Sequence, residues 1–346
     1  MKIAERQIGD GAPVYVIAEL SANHNQRFED ALAIVRAAKE AGADAVKLQT
    51  YTADTLTLDS DKEYFRIGKG TIWEGRTLHD LYREAFTPWE WQPKLKAEAE
   101  ELGLHCFSSP FDETAVDFLE TLNVPAYKIA SFELVDLPLI ECVARTGKPL
   151  IMSTGMATRD EIAEAVAAAR GAGAAEIALL KCTSAYPARH EEMNLRTIPE
   201  MNATFGVPVG LSDHTLGSAV PVAAVALGAC IIEKHLTLSR ATPGPDSAFS
   251  LEPAEFKQMV ADVRAAEQSL GQPNYTVSEK EEVSRIFRRS LFAVRDVRAG
   301  ESFTAGNVRS IRPGHGLAPK HLREVLSRTA ARDIERGTPL AWELIQ

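Results

Sequence analysis

The segment IIEKHLTL (231–238) begins as an apolar, β-branched run and then presents Glu233, Lys234 and His235 in succession. Ionisable side chains where a buried strand is finishing are costly unless something pairs with them. A second such end, VGLSDHT, carries Ser212, Asp213 and His214. Two imidazoles on neighbouring strands, with water in the remaining positions, suit a divalent transition ion. Lys47 in AVKLQT and Lys128 in AYKIAS interrupt apolar runs in the same way and call for an anion. Hydroxyls recur at the same kind of place: Ser109, Ser131, Ser153, Ser184 and Ser212. One strand-end serine is ordinarily a local backbone hydrogen bond. Two lysines and five serines converging on one place suit a phosphate.

Those residues need elements that bring them together. Eight short apolar runs read as strands: VYVIAEL (14–20), AVKLQT (45–50), HCFSSP (105–110), AYKIAS (126–131), PLIMST (149–154), IALLKC (177–182), PVGLSD (208–213) and CIIEKH (230–235). Helical patterns lie between them and after the last, several closing on Gly, and Thr158-Arg159-Asp160-Glu161 reads as a capping box. Eight β-α units within residues 1–270 predict an α/β fold of the TIM (β/α)8 barrel type, with a doubly wound sheet as the alternative. In such a barrel, function sits at the C-terminal ends of the strands. Alternation then puts Lys47 with Gln49, Glu233 with His235, and Ser212 with His214 on shared faces. The same rule turns Lys181 and Lys234 outward, under the helices. Residues 51–86 are too long for a turn and read as a substrate-covering loop. Residues 271–287 are polar and read as a linker, and 288–346 as a small mixed domain.

Composition narrows the function. The formal net charge of −10 argues against nucleic-acid binding, so an anionic substrate must be held by local cations. No apolar run reaches membrane-spanning length and the N-terminus has no secretion pattern, which predicts a cytoplasmic protein without a membrane partner. Cys106, Cys142, Cys182 and Cys230 are far apart in sequence and read as reduced thiols.

Taken together, AELSANHN, AGADAVKLQTY, CFSSPF, YKIASFE, STGMAT, LLKCTSAYP, VGLSDHT, IEKHLTL and the tail SIRPGHGL resemble the sialic acid synthase family. The resemblance implies a metal-bearing TIM barrel followed by an antifreeze-like (SAF) domain, condensing phosphoenolpyruvate with an open-chain amino sugar. Position by position it implies metal ligation by His214 and His235, with Mn2+ expected and Mg2+ or Co2+ as substitutes. It puts phosphoenolpyruvate on Lys47, Ser109, Lys128, Ser131, Ser153, Ser184 and Ser212. It puts the sugar on Glu19, Gln49, Tyr186 and Asp246. Arg312, in IRPGHG, matches an arginine that the SAF domain delivers to the partner's barrel, which implies a domain-swapped homodimer. The family's sugar-contacting Asn has no clear counterpart in residues 60–75. SANH, the long loop and KCTSAYP differ from the forms usual in the neuraminate and legionaminate branches, which stand as the alternative within the family.

The chemistry implied is Lewis-acid help at the sugar aldehyde, attack by carbon 3 of phosphoenolpyruvate, addition of water at carbon 2 and release of phosphate. Glu233, and after it Glu133, are the expected water-steering carboxylates, and Glu19 an orienting group. Two other classes compete: a metal-dependent hydrolase or isomerase acting on a sugar phosphate, and a surface-binding role for residues 288–346.

Overall fold

The computed structural model describes residues 1–9 and 11–346. The chain forms two compact units, Met1–Gly271 and Gln272–Gln346. In the first, parallel strands β1 (Tyr15–Glu19), β2 (Ala45–Thr50), β3 (His105–Pro110), β4 (Tyr127–Ile129), β5 (Leu150–Ser153), β6 (Ile177–Cys182), β7 (Val209–Asp213) and β8 (Ile231–His235) pair in chain order. β8 closes on β1, which makes a barrel and excludes the doubly wound alternative. These strands are buried on both faces, which is why they read as near-continuous apolar runs. Gly210 in β7 has a packing reason: a Cβ there would lie 2.4 Å from the carbonyl oxygen of Ile231 on β8.

Eight helices follow the strands: α1 (Phe28–Ala41), α2 (Gln92–Glu101), α3 (Glu113–Thr121), α4 (Leu137–Arg145), α5 (Arg159–Gly171), α6 (Thr197–Phe205), α7 (Ala219–Ala226) and α8 (Pro253–Leu270). Their starts are written in the sequence. Asp112 and Asp136 cap α3 and α4, and the Thr158–Glu161 box caps α5. Gly42 and Gly206 end α1 and α6 in the left-handed conformation. The apolar faces of the helices bury against the outer faces of the strands in one continuous core. Among the described residues no helix is long and apolar enough to cross a membrane.

Residues 51–86 fold over the C-terminal side of β2 as an element of their own. Short helices Ala53–Leu56 and Leu78–Ala85 flank an isolated bridge between Arg66 and Thr77. The C-terminal unit pairs β9 (Ser290–Ala293) with β10 (Val308–Ile311) around a small core that includes Leu291, Phe303, Val325 and Leu340. Within 271–287, the stretch read as a linker, Ser278 and Glu281 form a capping box that starts a short helix, Glu279–Ser284. Cys106, Cys142 and Cys182 are free thiols, and Cys230 donates its Sγ to the carbonyl of Val209 at 3.3 Å.

Candidate active site at the barrel mouth

A cavity of about 320 Å³ opens at the C-terminal ends of the strands. Strand register explains which side chains meet there. Glu19 is level with Lys47, Ser212 with Glu233, and His235 with Glu19, and level neighbours in a parallel barrel face the same way. Lys47, Gln49, Lys128, Ser131, Glu133, Ser153, Tyr186, Ser212, His214, Glu233, His235 and Asp246 line the cavity.

Glu233 is the hub of its floor. Its Oε1 lies 3.1 Å from Lys47 Nζ and 3.6 Å from Lys128 Nζ, and accepts from Ser212 Oγ at 3.1 Å. Lys128 Nζ also donates to Ser153 Oγ at 2.6 Å. Lys47 Nζ makes a second ion pair with Glu19 Oε2 at 2.8 Å. The two lysines expected to wait for a substrate anion are thus already neutralised by two buried carboxylates. Burial pushes Glu19 up, with Glu233 adding to it and Lys47 opposing. Burial would raise Glu233 too, but Lys128 and Lys47 overcome that and hold it ionised, below its ordinary value. For Lys128 burial wins over Glu233 and lowers the ammonium to about 8.

Glu19 does not itself line the cavity; it stands behind Lys47 and Gln49, accepting from Gln49 Nε2 at 3.3 Å and from the backbone N–H of Ser21 at 2.9 Å. Gln49 Nε2 donates to Ser21 Oγ at 3.0 Å, and Ser21 donates to Asp246. Ser109 and Ser184 also lie outside the lining set, although Ser109 Oγ is buried without a partner. Ser131 and Ser184 are drawn together by Gly155: a Cβ there would sit 2.7 and 2.1 Å from their hydroxyl oxygens. The Gly155 N–H donates to Ser131 Oγ at 3.1 Å. Arg312 is exposed and follows β10 in the C-terminal unit. Lys181 and Lys234 are not in the lining; Lys234 is fully buried on the outer side, paired with Asp213 at 2.5 Å.

The imidazoles of His214 and His235 lie 5.3 Å apart between ring centroids. His214 Nδ1 is 3.0 Å from the carbonyl oxygen of Thr183, so Nδ1 carries a proton and Nε2 is the nitrogen that could ligate; burial would lower this imidazole, but Cys182 and the Thr183 carbonyl outweigh that and raise it. His235 Nδ1 is buried without a partner. Burial, with His214 and Lys47 adding to it, pushes His235 down and keeps it neutral, as a metal ligand must be. Among the described residues no group of three or more His, Cys, Asp or Glu is arranged for a metal. The donors fit an ion held by two protein nitrogens, with its other positions left to water or substrate.

Glu133, on the turn after β4, is pushed up to about 7 by burial, with Lys128 opposing, and its Oε2 is buried without a partner. Cys182 and Trp73 are among the lining groups that escaped the sequence reading. Cys182 was within reach of it, since the alternation that turns Lys181 out turns Cys182 in. Trp73 was not: its ring meets Tyr186 at 5.6 Å, and its Nε1 donates to the carbonyl of Pro245 at 2.9 Å, across 172 residues of chain.

A family profile described as "NeuB family" matches residues 34–275, and one described as "SAF domain" matches 288–346. A pseudaminic acid synthase of Campylobacter jejuni (strain 81-176) is 48% identical over 327 residues, 94% of this chain and 95% of that protein. A pseudaminic acid synthase of Helicobacter pylori (strain 26695) is 45% identical over 335 residues, 96% of this chain and 98% of that one. The crystal structure of an N-acetylneuraminic acid (sialic acid) synthetase from Leptospira borgpetersenii, in complex with citrate, superposes with a TM-score of 0.73 at 30% identity, covering 82% of this chain and 94% of that one. A profile matched over most of the barrel, and relatives this similar along nearly the whole chain, make this protein a member of the NeuB family.

Proposed function

We propose that the chain is a pseudaminic acid synthase. It joins phosphoenolpyruvate, the open-chain aldehyde of 2,4-diacetamido-2,4,6-trideoxy-L-altrose and water, giving pseudaminic acid and inorganic phosphate with cleavage of the carbon–oxygen bond of phosphoenolpyruvate. The observation that carries the reading is 48% identity to a relative of that name over nearly the whole of both chains. The mouth of the barrel has the chemistry the reaction needs.

Lys47 and Lys128, with Ser131, Ser153 and Ser212 around them, are assigned to phosphoenolpyruvate, and Ser109 and Ser184 stand close behind. When it binds, Glu233 shares the lysines with the new anion, so the floor tightens around charge that is already positioned. Gln49, Tyr186 and Asp246 are assigned to the sugar, with Glu19 fixing Lys47 and Gln49 from behind. His214 and His235 would hold Mn2+, or Mg2+ or Co2+ in its place, and the ion would supply Lewis-acid polarisation at the sugar aldehyde. Holding the two substrates face to face replaces a bimolecular encounter with a positioned pair.

Glu133 is better suited than Glu233 to take the proton from the attacking water. A carboxyl titrating near 7 matches the working pH of a general base, whereas Glu233 is held ionised by two lysines and is a weak base. The domain-swapped homodimer, with Arg312 reaching the partner's barrel, is supported by apolar side chains left uncovered in the single chain. Phe132, Val135 and Met156 are each about 60% exposed at the barrel mouth, and Tyr275, Val283 and Phe287 are exposed in the C-terminal unit.

The test is phosphate release from phosphoenolpyruvate by the purified chain with Mn2+ and each candidate sugar. Release with the 2,4-diacetamido-2,4,6-trideoxy sugar of altro configuration is expected. Preference for its legionaminate-type stereoisomer, or for a 2-acetamido hexose, would move the chain to another branch. Release without any sugar would overturn the reading altogether.

A further inference from the structure

The cavity has two unlike halves. The strand ends supply lysines, carboxylates, hydroxyls and imidazoles. Facing them, every lining side chain from residues 51–86 is apolar or aromatic, among them Leu56, Ile67, Trp73, Leu81 and Tyr82, and Phe111 continues this wall. The wall is tied down. The Tyr51 ring packs edge-on against Phe111 at 5.0 Å and against Tyr82 at 5.8 Å. Trp73 latches the loop to the segment carrying Asp246 through its hydrogen bond to Pro245, and lies against Tyr186, which in turn packs on His214 at 4.4 Å.

An open-chain sugar with its aldehyde at the imidazoles must turn its far carbons toward this wall. Hydroxyls buried there would lose water and find few partners, since the Trp73 N–H is taken and the phenol hydroxyls of Tyr51 and Tyr82 are the wall's polar atoms. Methyl groups would gain contact instead. We infer that the wall centred on Trp73 is the specificity element of the sugar half: it admits a hexose whose far end carries a C6 methyl and an N-acyl methyl, and discriminates against one bearing hydroxyls there. Trp73 determines specificity and takes no part in bond making. This inference rests on the proposed function.

Steady-state phosphate release tests it with two sugars, the 2,4-diacetamido-2,4,6-trideoxyhexose and a 2-acetamido hexose hydroxylated at C4 and C6. Wild type is expected to favour the first in kcat/KM by roughly 10²-fold, the scale an apolar pocket reaches. Trp73→Ala should cut that ratio by about tenfold or more, through the deoxy sugar alone, with the KM of phosphoenolpyruvate within about twofold of wild type. Ile67→Asn, which puts an amide in a half-buried position of the wall, should lower the ratio in the same direction. Trp73→Phe keeps the ring without the latch, and is expected to retain most of the ratio. Equal losses on both sugars in Trp73→Ala and Ile67→Asn, or a wild type that does not distinguish them, would overturn this inference while leaving the synthase reading intact. A wild type that releases phosphate with neither sugar would sink the synthase reading, and this inference with it.

Discussion

The two ends of the barrel treat buried polar groups in opposite ways. At the N-terminal end, Asp44 receives Arg6 at 2.6 Å, Arg264 at 2.9 Å and the backbone N–H of Val16 at 2.8 Å. Glu267 receives Arg264 at 2.9 Å and the N–H of Val14, and Tyr15 pairs with His105 at 2.7 Å. At the C-terminal end, Ser109 Oγ, Glu133 Oε2, Glu233 Oε2 and His235 Nδ1 are buried without a hydrogen-bond partner. All the buried side-chain atoms left in that state among the described residues lie at this end or in the loops beside it. A buried polar group left unmet costs about 1–3 kcal/mol. A fold tolerates such a cost at a site built to meet a ligand, and the satisfied network at the other end offsets it. The barrel thus keeps its fully paired network at one end and its unpaired polar atoms at the other.

The most severe way to probe the mouth is to remove an imidazole. His235→Ala and His214→Ala should each lower turnover by about 10³-fold. Calorimetric titration with Mn2+ should show the binding lost in both. Tight binding retained with either imidazole gone would put the ion elsewhere.

Lys47→Met comes next, because it does two things at once. It takes a cation from the site proposed for phosphoenolpyruvate, which should raise that KM by on the order of 10²-fold. It also leaves Glu19 facing Glu233 without a shared counterion, which should cost about 3 kcal/mol in urea unfolding. A rise in KM without loss of stability would mean that the carboxylates relax apart.

Glu133 separates a proton role from a binding role. Burial holds it near 7, and a base works deprotonated, so kcat/KM should rise with pH through about 7 and then level. Glu133→Gln should cost about 10²-fold in kcat and abolish that acidic limb. If the limb survives in the variant, another group is the base.

Much of this division was legible in the residues. Eight short apolar runs announced the barrel, and period-two alternation put Lys47 with Gln49 and Glu233 with His235 on shared faces. What alternation does not carry is pairing between strands distant in sequence. Lys47 and Glu233 meet across 186 residues, so the lysines read as waiting for an external anion when each already had a carboxylate beside it. The same limit hid the apolar wall. Residues 51–86 carry local caps and a short amphipathic helix, but which face turns to the cavity is tied to distant contacts such as Trp73 with Pro245. In the segment 271–287, read as a linker from its polarity, a local capping box is enough to start a short helix.

Smaller effects test the other side of the comparison. Asp44→Asn keeps the volume but takes the counterion from two arginines at the N-terminal end, and should cost about 2 kcal/mol of stability with kcat unchanged. A kcat change as large as the stability change would mean that the two ends are not independent.

Ser109→Ala is the mildest change and the sharpest discriminator. It deletes a buried hydroxyl that has no partner, so the ligand-free variant should be more stable than wild type by about 1 kcal/mol. If Ser109 is left unsatisfied because phosphoenolpyruvate completes it, that advantage should shrink or reverse in saturating phosphoenolpyruvate, since the ligand then stabilises wild type more. Paired thermal melts with and without the ligand measure the difference directly. An advantage that persists unchanged at saturation would mean that the hydroxyl is a packing defect and not part of the binding floor.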